Sequence, residues 1–286
     1  MNRTVRLITS SLHTGVGPLR VAQPLPVHAL RDADPFLLLH HAGPQRFEAG
    51  GQAHRIDPHP HRGFEPVTFV YRGSVLHRDS LGNAGSIGAG EVQWITSGSG
   101  IIHSEGPTAD LMEQGGELEL IQLWINLPAA KKMITPAYQE LHQQQIPTVQ
   151  VLDGAMDLAI VAGTYGGITG PAITHSPMTA IMGSMTAGGS GILAAPAERR
   201  MLLYVLGGSV RLNGEHVVER QQMVVFDDGT GDVTIDILAD GHVLLLGGEP
   251  IGEPIASYGP FVMNTDEELR EAFRDYAGGK FGTLDE

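Results

Sequence analysis

The chain has 286 residues, of which 42% are hydrophobic and 17% charged, so it can bury cores for about two domains. The formal net charge is −14 and is uneven: residues 1–135 carry 11 basic and 12 acidic side chains, whereas residues 136–286 carry 7 and 20. This acidity argues against direct binding to nucleic acid or to an anionic membrane, and it leaves protein partners open.

Cysteine is absent, which excludes disulfide frameworks and thiolate metal sites and fits a reducing compartment. The opening residues, MNRTVRLITSSLHTG, lack the apolar core of a signal peptide. No apolar run approaches the roughly 18 residues that a membrane span needs. We therefore expect a cytoplasmic protein without a membrane segment.

Short apolar runs bounded by Gly, Asn or Asp recur along the whole chain and predict β-strands. In the first half they are TVRLIT, VTFVYRGSVLHRDS, EVQWIT and LELIQLWINL. In the second half they are LAIVAGTYG, TAIMGSMTAG, MLLYVLGGSVRLNG, QMVVFD, VTIDILAD and HVLLLGGE. This pattern predicts an all-β architecture of the sandwich or barrel type.

Two pairs of side chains point to a metal site. The stretch DPHPHRGFEP begins at Asp57 and places His59 and His61 at i and i+2, a spacing that puts both on one face of a strand. The stretch GSGIIHSEGP supplies a second pair, His103 and Glu105. One such pair alone is often structural, but two predict a site of three imidazoles and one carboxylate. This donor set suits Fe(II), Mn, Co, Ni, Cu or Zn.

The other histidines give weaker signals. His40, His41 and His54 are candidates for the mouth of the site. Arg62 and Glu65 flank the first histidine pair, where they either orient the ligands or form an ordinary buried ion pair. The remaining ones considered are interpreted as structural or surface residues: His77, His142, His175, His216 and His242.

Residues 127–147 form a polar segment with three prolines, and we predict that this segment connects two domains. The run FVYRGSV at 69–75 is echoed by YVLGGSV at 204–210, an offset of 135 residues, and both suggest strand, glycine turn and strand. We infer two copies of one β-module, an N-terminal metal-binding domain over residues 1–135 and a C-terminal metal-free domain over residues 136–286.

The same offset supports a C-terminal domain without a metal. It places Ala194, Pro196 and Arg200 where the first domain has its histidine pair and Glu65, and none of the three is a ligand for a first-row ion. No histidine lies between His216 and His242. We therefore expect one divalent ion per chain.

A helix is predicted near the end of the chain, in NTDEELREAFRDYAGG. Thr265 is a candidate N-cap with Glu268 as its capping-box partner, and Gly278 is a reasonable stop. The apolar face of the helix recurs at helical spacing and suits packing on a core: Leu269, Ala272, Phe273 and Tyr276.

Four stretches resemble motifs of the pirin family: HPHRGFEPVTFVYRGSVLHRDSLGN, GEVQWITSGSGIIHSE, IQLWINLP and GPFVMNTDEELREAFRDY. The resemblance covers about residues 5–282. It implies two cupin-type barrels, of the double-stranded β-helix or jelly-roll kind, with a short C-terminal helix. It also implies one ion, usually iron, held in the N-terminal barrel by His59, His61, His103 and Glu105.

For function, the resemblance implies quercetin 2,3-dioxygenase-like ring opening of a flavonol with O2, with Fe(II) as the expected ion. Glu105 is the candidate base that takes the flavonol hydroxyl proton. The alternative is a non-enzymatic, redox-responsive iron protein that acts as cofactor of a transcriptional regulator or another protein partner. The sequence departs from the family at His40, where many members have Asp, and at Pro66, where Thr is usual. We expect a monomer.

Overall fold

The computed structural model describes residues 2–17, 19–51 and 55–284. The strands of the first half are, in chain order, β1 (Val5–Ser10), β2 (Leu12–Val16), β3 (Leu19–Leu25), β4 (Phe36–Phe47), β5 (Ile56–His61), β6 (Phe64–Arg72), β7 (Ser74–Asp79), β8 (Ala84–Gly88), β9 (Val92–Thr96), β10 (Ile101–Pro107), β11 (Gly116–Asn126) and β12 (Ala137–Leu141). A short helix, α1 (Ala109–Gln114), connects β10 to β11 and is capped by the side chain of Thr108.

The second half continues the same pattern and ends in a helix. Its strands are β13 (Thr148–Val151), β14 (Met156–Ala162), β15 (Thr164–Tyr165), β16 (Ile168–Thr169), β17 (Met178–Met185), β18 (Ser190–Leu193), β19 (Arg200–Leu212), β20 (His216–Glu219), β21 (Gln222–Phe226), β22 (Val233–Gly248), β23 (Ala256–Tyr258) and β24 (Phe261–Met263). Helix α2 (Asp266–Ala277) follows. The predicted all-β architecture with a C-terminal helix is confirmed.

The chain divides into two compact units. The first barrel comprises residues 13–21, 35–142 and 251–286, and the second barrel comprises residues 1–12, 22–34 and 143–250. Each is built around antiparallel sheets, in which most paired strands are not consecutive along the chain.

The first barrel has a seven-stranded sheet, in the order β12-β9-β6-β11-β4-β3-β2, and a four-stranded sheet, in the order β5-β10-β7-β8. Its interior contains an apolar cluster that includes Val70, Ile87 and Leu118. Polar side chains, among them His77 and His103, are also buried among its strands. An antiparallel barrel of this kind holds inward-facing side chains at alternate positions of every strand.

The second barrel is built on one large sheet, in the order β1-β21-β19-β22-β17-β14-β13, with β18 paired to β22 and β20 to β19. Its interior is a continuous apolar cluster, which includes Met156, Ile181, Leu203, Phe226 and Leu245. All of these are almost completely buried, so packing alone accounts for this core.

The boundaries of the two units differ from the predicted division between residues 135 and 136. Strand β1 pairs with β21, so the N-terminal strand belongs to the second barrel. Strand β12 pairs with β9, so part of the predicted connecting segment 127–147 belongs to the first barrel. Helix α2 also belongs to the first barrel, although the sequence placed it in the C-terminal domain. The boundaries of the two units are therefore set by pairing between strands that are far apart in the sequence.

Helix α2 starts where it was predicted to start. Thr265 caps it, with the reciprocal capping box to Glu268, and Gly278 follows its last turn. Leu269 and Ala272 are buried in a small cluster with Phe261, whereas the predicted apolar residues Phe273 and Tyr276 are partly exposed. In the described part of the chain, no helix is long and apolar enough to cross a membrane.

The two matching stretches, residues 69–75 and 204–210, were both predicted to form strand, turn and strand, and only the first does so. In the first barrel, β6 and β7 are separate strands on either side of Gly73, whose φ of +75° favours glycine. In the second barrel, β19 runs on through Gly207 and Gly208 with several register shifts. Bulges bend a strand without ending it, so the same sequence pattern yields one long strand.

Candidate metal centre

Two antiparallel strands bring the three predicted histidines together. His59 and His61 lie on β5, and in the pairing of β5 with β10 His103 lies directly opposite His59. The ligand atoms of the three imidazoles all lie within 4.8 Å of one another. The i and i+2 spacing therefore places two of the side chains on the face that also receives the third.

Hydrogen bonds orient two of the rings. Nδ1 of His59 lies 2.9 Å from the carbonyl oxygen of Asp57, and Nδ1 of His61 lies 3.5 Å from that of Pro260. A carbonyl can only accept, so in each ring Nδ1 carries the proton and Nε2 keeps its lone pair. Metal-ligating histidines are commonly held in this way.

The buried nitrogens of the cluster are not satisfied by protein groups. Nε2 of His61 and both ring nitrogens of His103 have no hydrogen-bond partner among the described residues. Burial lowers the pKa of His61 and of His103 well below the usual histidine range, and the neighbouring imidazoles lower both further. Neutral imidazoles with free lone pairs are the form that binds a metal, so the cluster fits a divalent ion.

Glu105 is close to this cluster in the sequence of β10, but its carboxylate lies farther from the three imidazoles than they lie from one another. It follows His103 by two residues on β10, and a register shift falls between them in the pairing with β5. Its carboxylate is not one of the groups that lie within 4.8 Å of one another. Instead it accepts hydrogen bonds from Gln93, at 3.3 Å, and from Gln122, at 2.7 Å.

A buried His–Asp pair, His77 and Asp79, lies next to the cluster. The sequence did not predict that this pair belongs to the site. His77 lies opposite Glu105 in the pairing of β7 with β10, and its Nε2 is 3.0 Å from the carboxylate of Asp79. Its ring centroid is 5.5 Å from that of His103 and 4.4 Å from that of Tyr138, which stacks on it. The H-x-D spacing on β7 was the available signal.

An open pocket borders Glu105. Its polar lining comes from His40, Glu105 and Gln122. Burial lowers the pKa of His40 to about 4, so this ring is neutral at pH 7. The rest of the lining is mostly apolar and includes Leu19, Val21, Ile56, Val75, Leu118 and Leu120. A mostly apolar pocket with a few convergent polar groups is a candidate small-molecule site.

Of the residues that the sequence placed near the mouth, only His40 lines the pocket. His41 is buried and its Nε2 contacts the carboxylate of Glu119 at 3.1 Å. His54 lies outside the described residues. Pro66, the second departure from the family pattern, is buried opposite Trp124 in the pairing of β6 with β11. Trp124 in turn contacts His61, with ring centroids 5.4 Å apart.

Arg62 and Glu65 have separate partners. Arg62 donates to the carboxylate of Asp275 on α2 at 2.9 Å and to the carbonyl oxygen of Ser99. Glu65 accepts a hydrogen bond from Thr96 at 2.8 Å. Burial raises the pKa of Glu65 to about 7, although the bond from Thr96 lowers it. Arg62, the residue after His61, is thus bound to helix α2.

Comparison with known proteins finds matches in both halves of the chain. The pirin family model matches residues 18–125, and the model of the pirin C-terminal cupin domain matches residues 182–282. A Pseudomonas aeruginosa protein named "Putative quercetin 2,3-dioxygenase PA2418" is 42% identical over 247 residues, which cover 86% of each chain. Pirin-like protein 2 of Arabidopsis thaliana is 37% identical over 87% of this chain and 76% of its own.

A crystal structure extends the likeness to the whole fold. The quercetin 2,3-dioxygenase of Acinetobacter baumannii superposes with a TM-score of 0.94 at 34% sequence identity, and the alignment covers 100% of both chains.

Proposed function

The chain belongs to the pirin family, a group of bicupins in the cupin superfamily, and from this premise we propose that it is a metal-dependent dioxygenase that opens the ring of flavonol-like substrates. The observation that carries the proposal is the cluster of three imidazoles beside Glu105, which borders a mostly apolar pocket. The names of the relatives from Pseudomonas and Acinetobacter support the same reaction class.

His59, His61, His103 and Glu105 would hold one divalent ion in the first barrel. Imidazole and carboxylate donors suit Fe(II), which we propose as the native ion, and Mn, Co, Ni, Cu and Zn suit the same donors. When bound, the ion acts as a Lewis acid that favours the ionised form of the substrate hydroxyl and promotes its reaction with dioxygen.

The protein's own residues bind the substrate and move one proton. The apolar walls bury the flat aromatic rings and exclude water from the polar end of the pocket. Glu105 borders the pocket and, among the described residues, is the one carboxylate in its lining, so we assign it as the base that takes the proton of the 3-hydroxyl group. Gln93 and Gln122 hold its two oxygens in place.

The reaction consumes one dioxygen for each flavonol. The C2–C3 and C3–C4 bonds break, C3 leaves as carbon monoxide, and both atoms of dioxygen remain in the ring-opened ester. Dioxygen is the oxidant, and the proton held by Glu105 returns to the new carboxyl group of the product. No further reductant is needed.

The test is oxygen uptake and carbon monoxide release with quercetin, using protein loaded anaerobically with Fe(II), Mn, Co, Ni or Cu. Glu105→Gln keeps the shape of the side chain but removes the base, and we expect a loss of about 100-fold or more in kcat. Glu117→Gln is the matched control, because Glu117 is a half-exposed carboxylate of the same barrel that pairs with Arg72. Wild-type turnover by Glu105→Gln would contradict the assigned base.

Absence of flavonol turnover with all of these ions would overturn the proposed activity. The ion would then be a redox-responsive element whose oxidation state is read by a protein partner.

A further inference from the structure

A row of polar side chains crosses the large sheet of the first barrel. In the strand pairings, Gln93 on β9 lies opposite Thr68 on β6, Thr68 lies opposite Gln122 on β11, and Gln122 lies opposite His40 on β4. Residues opposite one another in neighbouring strands share a face of the sheet. The row therefore leads from the buried interior at Gln93 to the pocket at His40.

Glu105 reaches this row from the other sheet, and the two glutamines bind its two oxygens separately. Nε2 of Gln122 donates to Oε1, and Nε2 of Gln93 donates to Oε2. A carboxylate can only accept, so both amides must present their nitrogen to it, and this fixes which way each amide points. Each carboxylate oxygen keeps a further lone pair for a proton or an ion.

The two glutamines differ in what else they can reach. Gln93 is 1% exposed, does not line the pocket, and also contacts the hydroxyl of Thr68. Gln122 is partly exposed and lines the pocket between Glu105 and His40. After its bond to Glu105, the amide of Gln122 still has its carbonyl oxygen and a second N–H. These groups can pair with a hydroxyl or a ketone of a bound molecule.

We propose that Gln93 and Gln122 form an amide clamp that positions Glu105, and that Gln122 also contacts the substrate and so determines its class. A ring hydroxyl that reaches Glu105 brings the neighbouring ring substituent to Gln122. The pocket then selects aromatic molecules with two adjacent oxygen functions, a hydroxyl next to a ketone or to a second hydroxyl. This inference rests on the proposed small-molecule site and deepens it.

The test uses nearly isosteric variants that remove the hydrogen bonds. Gln93→Met and Gln122→Met are compared with Gln150→Met, since Gln150 makes the same kind of bond, to Asp157 at 2.9 Å, in the second barrel. Gln93→Asn is added because it keeps a buried amide but shortens its reach. Unfolding by urea, followed by circular dichroism, shows which variants keep the wild-type fold.

The first measurement is the affinity for Mn²⁺, followed by electron paramagnetic resonance. Loss of a partner that orients a ligand commonly weakens metal binding by about 10- to 100-fold, so we expect a loss of about 10-fold in both clamp variants and none in Gln150→Met. Wild-type Mn²⁺ affinity in a folded Gln93 variant or in Gln122→Met would overturn the clamp.

The second measurement is the ratio of the affinities for catechol and phenol in the Zn²⁺-loaded protein, made without oxygen so that no dioxygen-dependent turnover can occur. We expect wild type and Gln93→Met to prefer catechol, and Gln122→Met to lose about fivefold or more of that preference, the effect of one hydrogen bond. An equal change in the two variants would overturn the contact between Gln122 and substrate. Neither measurement needs flavonol turnover, so the proposed dioxygenase activity can fail separately.

Discussion

The two barrels share antiparallel sheets but differ in what fills them. The second barrel has a continuous apolar core that includes Leu203, Phe226 and Leu245. The first barrel has an apolar cluster and also buried polar side chains such as His103 and Gln93. Packing of apolar side chains is sufficient for this kind of barrel. We conclude that the polar interior of the first barrel serves function.

Single positions show the same contrast. Glu65 is the second residue of β6 in the first barrel, and Arg200, at the offset of 135, is the first residue of β19 in the second. Glu65 is completely buried, and this burial raises its pKa although the hydrogen bond from Thr96 lowers it. Arg200 instead pairs with the partly exposed Asp228 at 2.9 Å. A metal-free second barrel remains a prediction, and the substitutions below test the comparison.

The largest effect is expected from loss of a histidine in the cluster. His61→Ala or His103→Ala removes a direct ligand. Because loss of outer partners alone costs up to about 100-fold in metal affinity, we expect a larger decrease here. Titration with Mn²⁺ or Zn²⁺ measures the change. His216→Ala, on β20 of the second barrel, is the control and should keep wild-type affinity. Equal metal affinity in His61→Ala and wild type would contradict the claim that only the first barrel binds the ion.

A large-to-small substitution in the second barrel should affect stability instead. Leu203 is completely buried in the apolar cluster, so Leu203→Ala leaves a cavity and should lower the free energy of unfolding by about 4 kcal/mol. Urea unfolding measures this loss. The metal content of the folded variant should equal that of wild type, because the histidine cluster lies in the other unit. A loss of metal in folded Leu203→Ala would mean that packing in the second barrel affects the metal site of the first.

A smaller effect should come from Glu65, whose folded-state pKa of about 7 lies above the ordinary value of 4.5. Between these values the folded protein holds a proton that the unfolded chain has released. Stability therefore falls as pH rises from about 4.5 through 7, by on the order of 3 kcal/mol for this group. Glu65→Gln should abolish this part of the pH dependence, measured by urea unfolding of the metal-free protein. An unchanged slope would contradict the raised pKa.

The sequence predicted features that depend on local spacing. The i and i+2 histidines on β5 converge with His103 as expected, and the capping box of α2 forms between Thr265 and Glu268. Each of these follows from the periodicity of one strand or one helix, together with the assumption that two strands meet.

Features that depend on strand register could not be predicted. The row that joins Gln93, Gln122 and His40 comes from four strands, and Glu105 reaches it from another sheet. His77 lies opposite Glu105 only when β7 pairs with β10, so the sequence alone favours a structural role for it. The exchange of terminal segments between the units likewise requires the long-range pairing of β1 with β21.

The central claim is that one barrel holds a divalent ion and the other does not. Anomalous diffraction from crystals of the Mn²⁺- or Zn²⁺-loaded protein tests it most directly, because it locates each ion. We predict one strong peak per chain, coordinated by His59, His61, His103 and Glu105, and none within residues 148–248. A peak inside the second barrel, or a loaded ion away from the three histidines, would contradict the account.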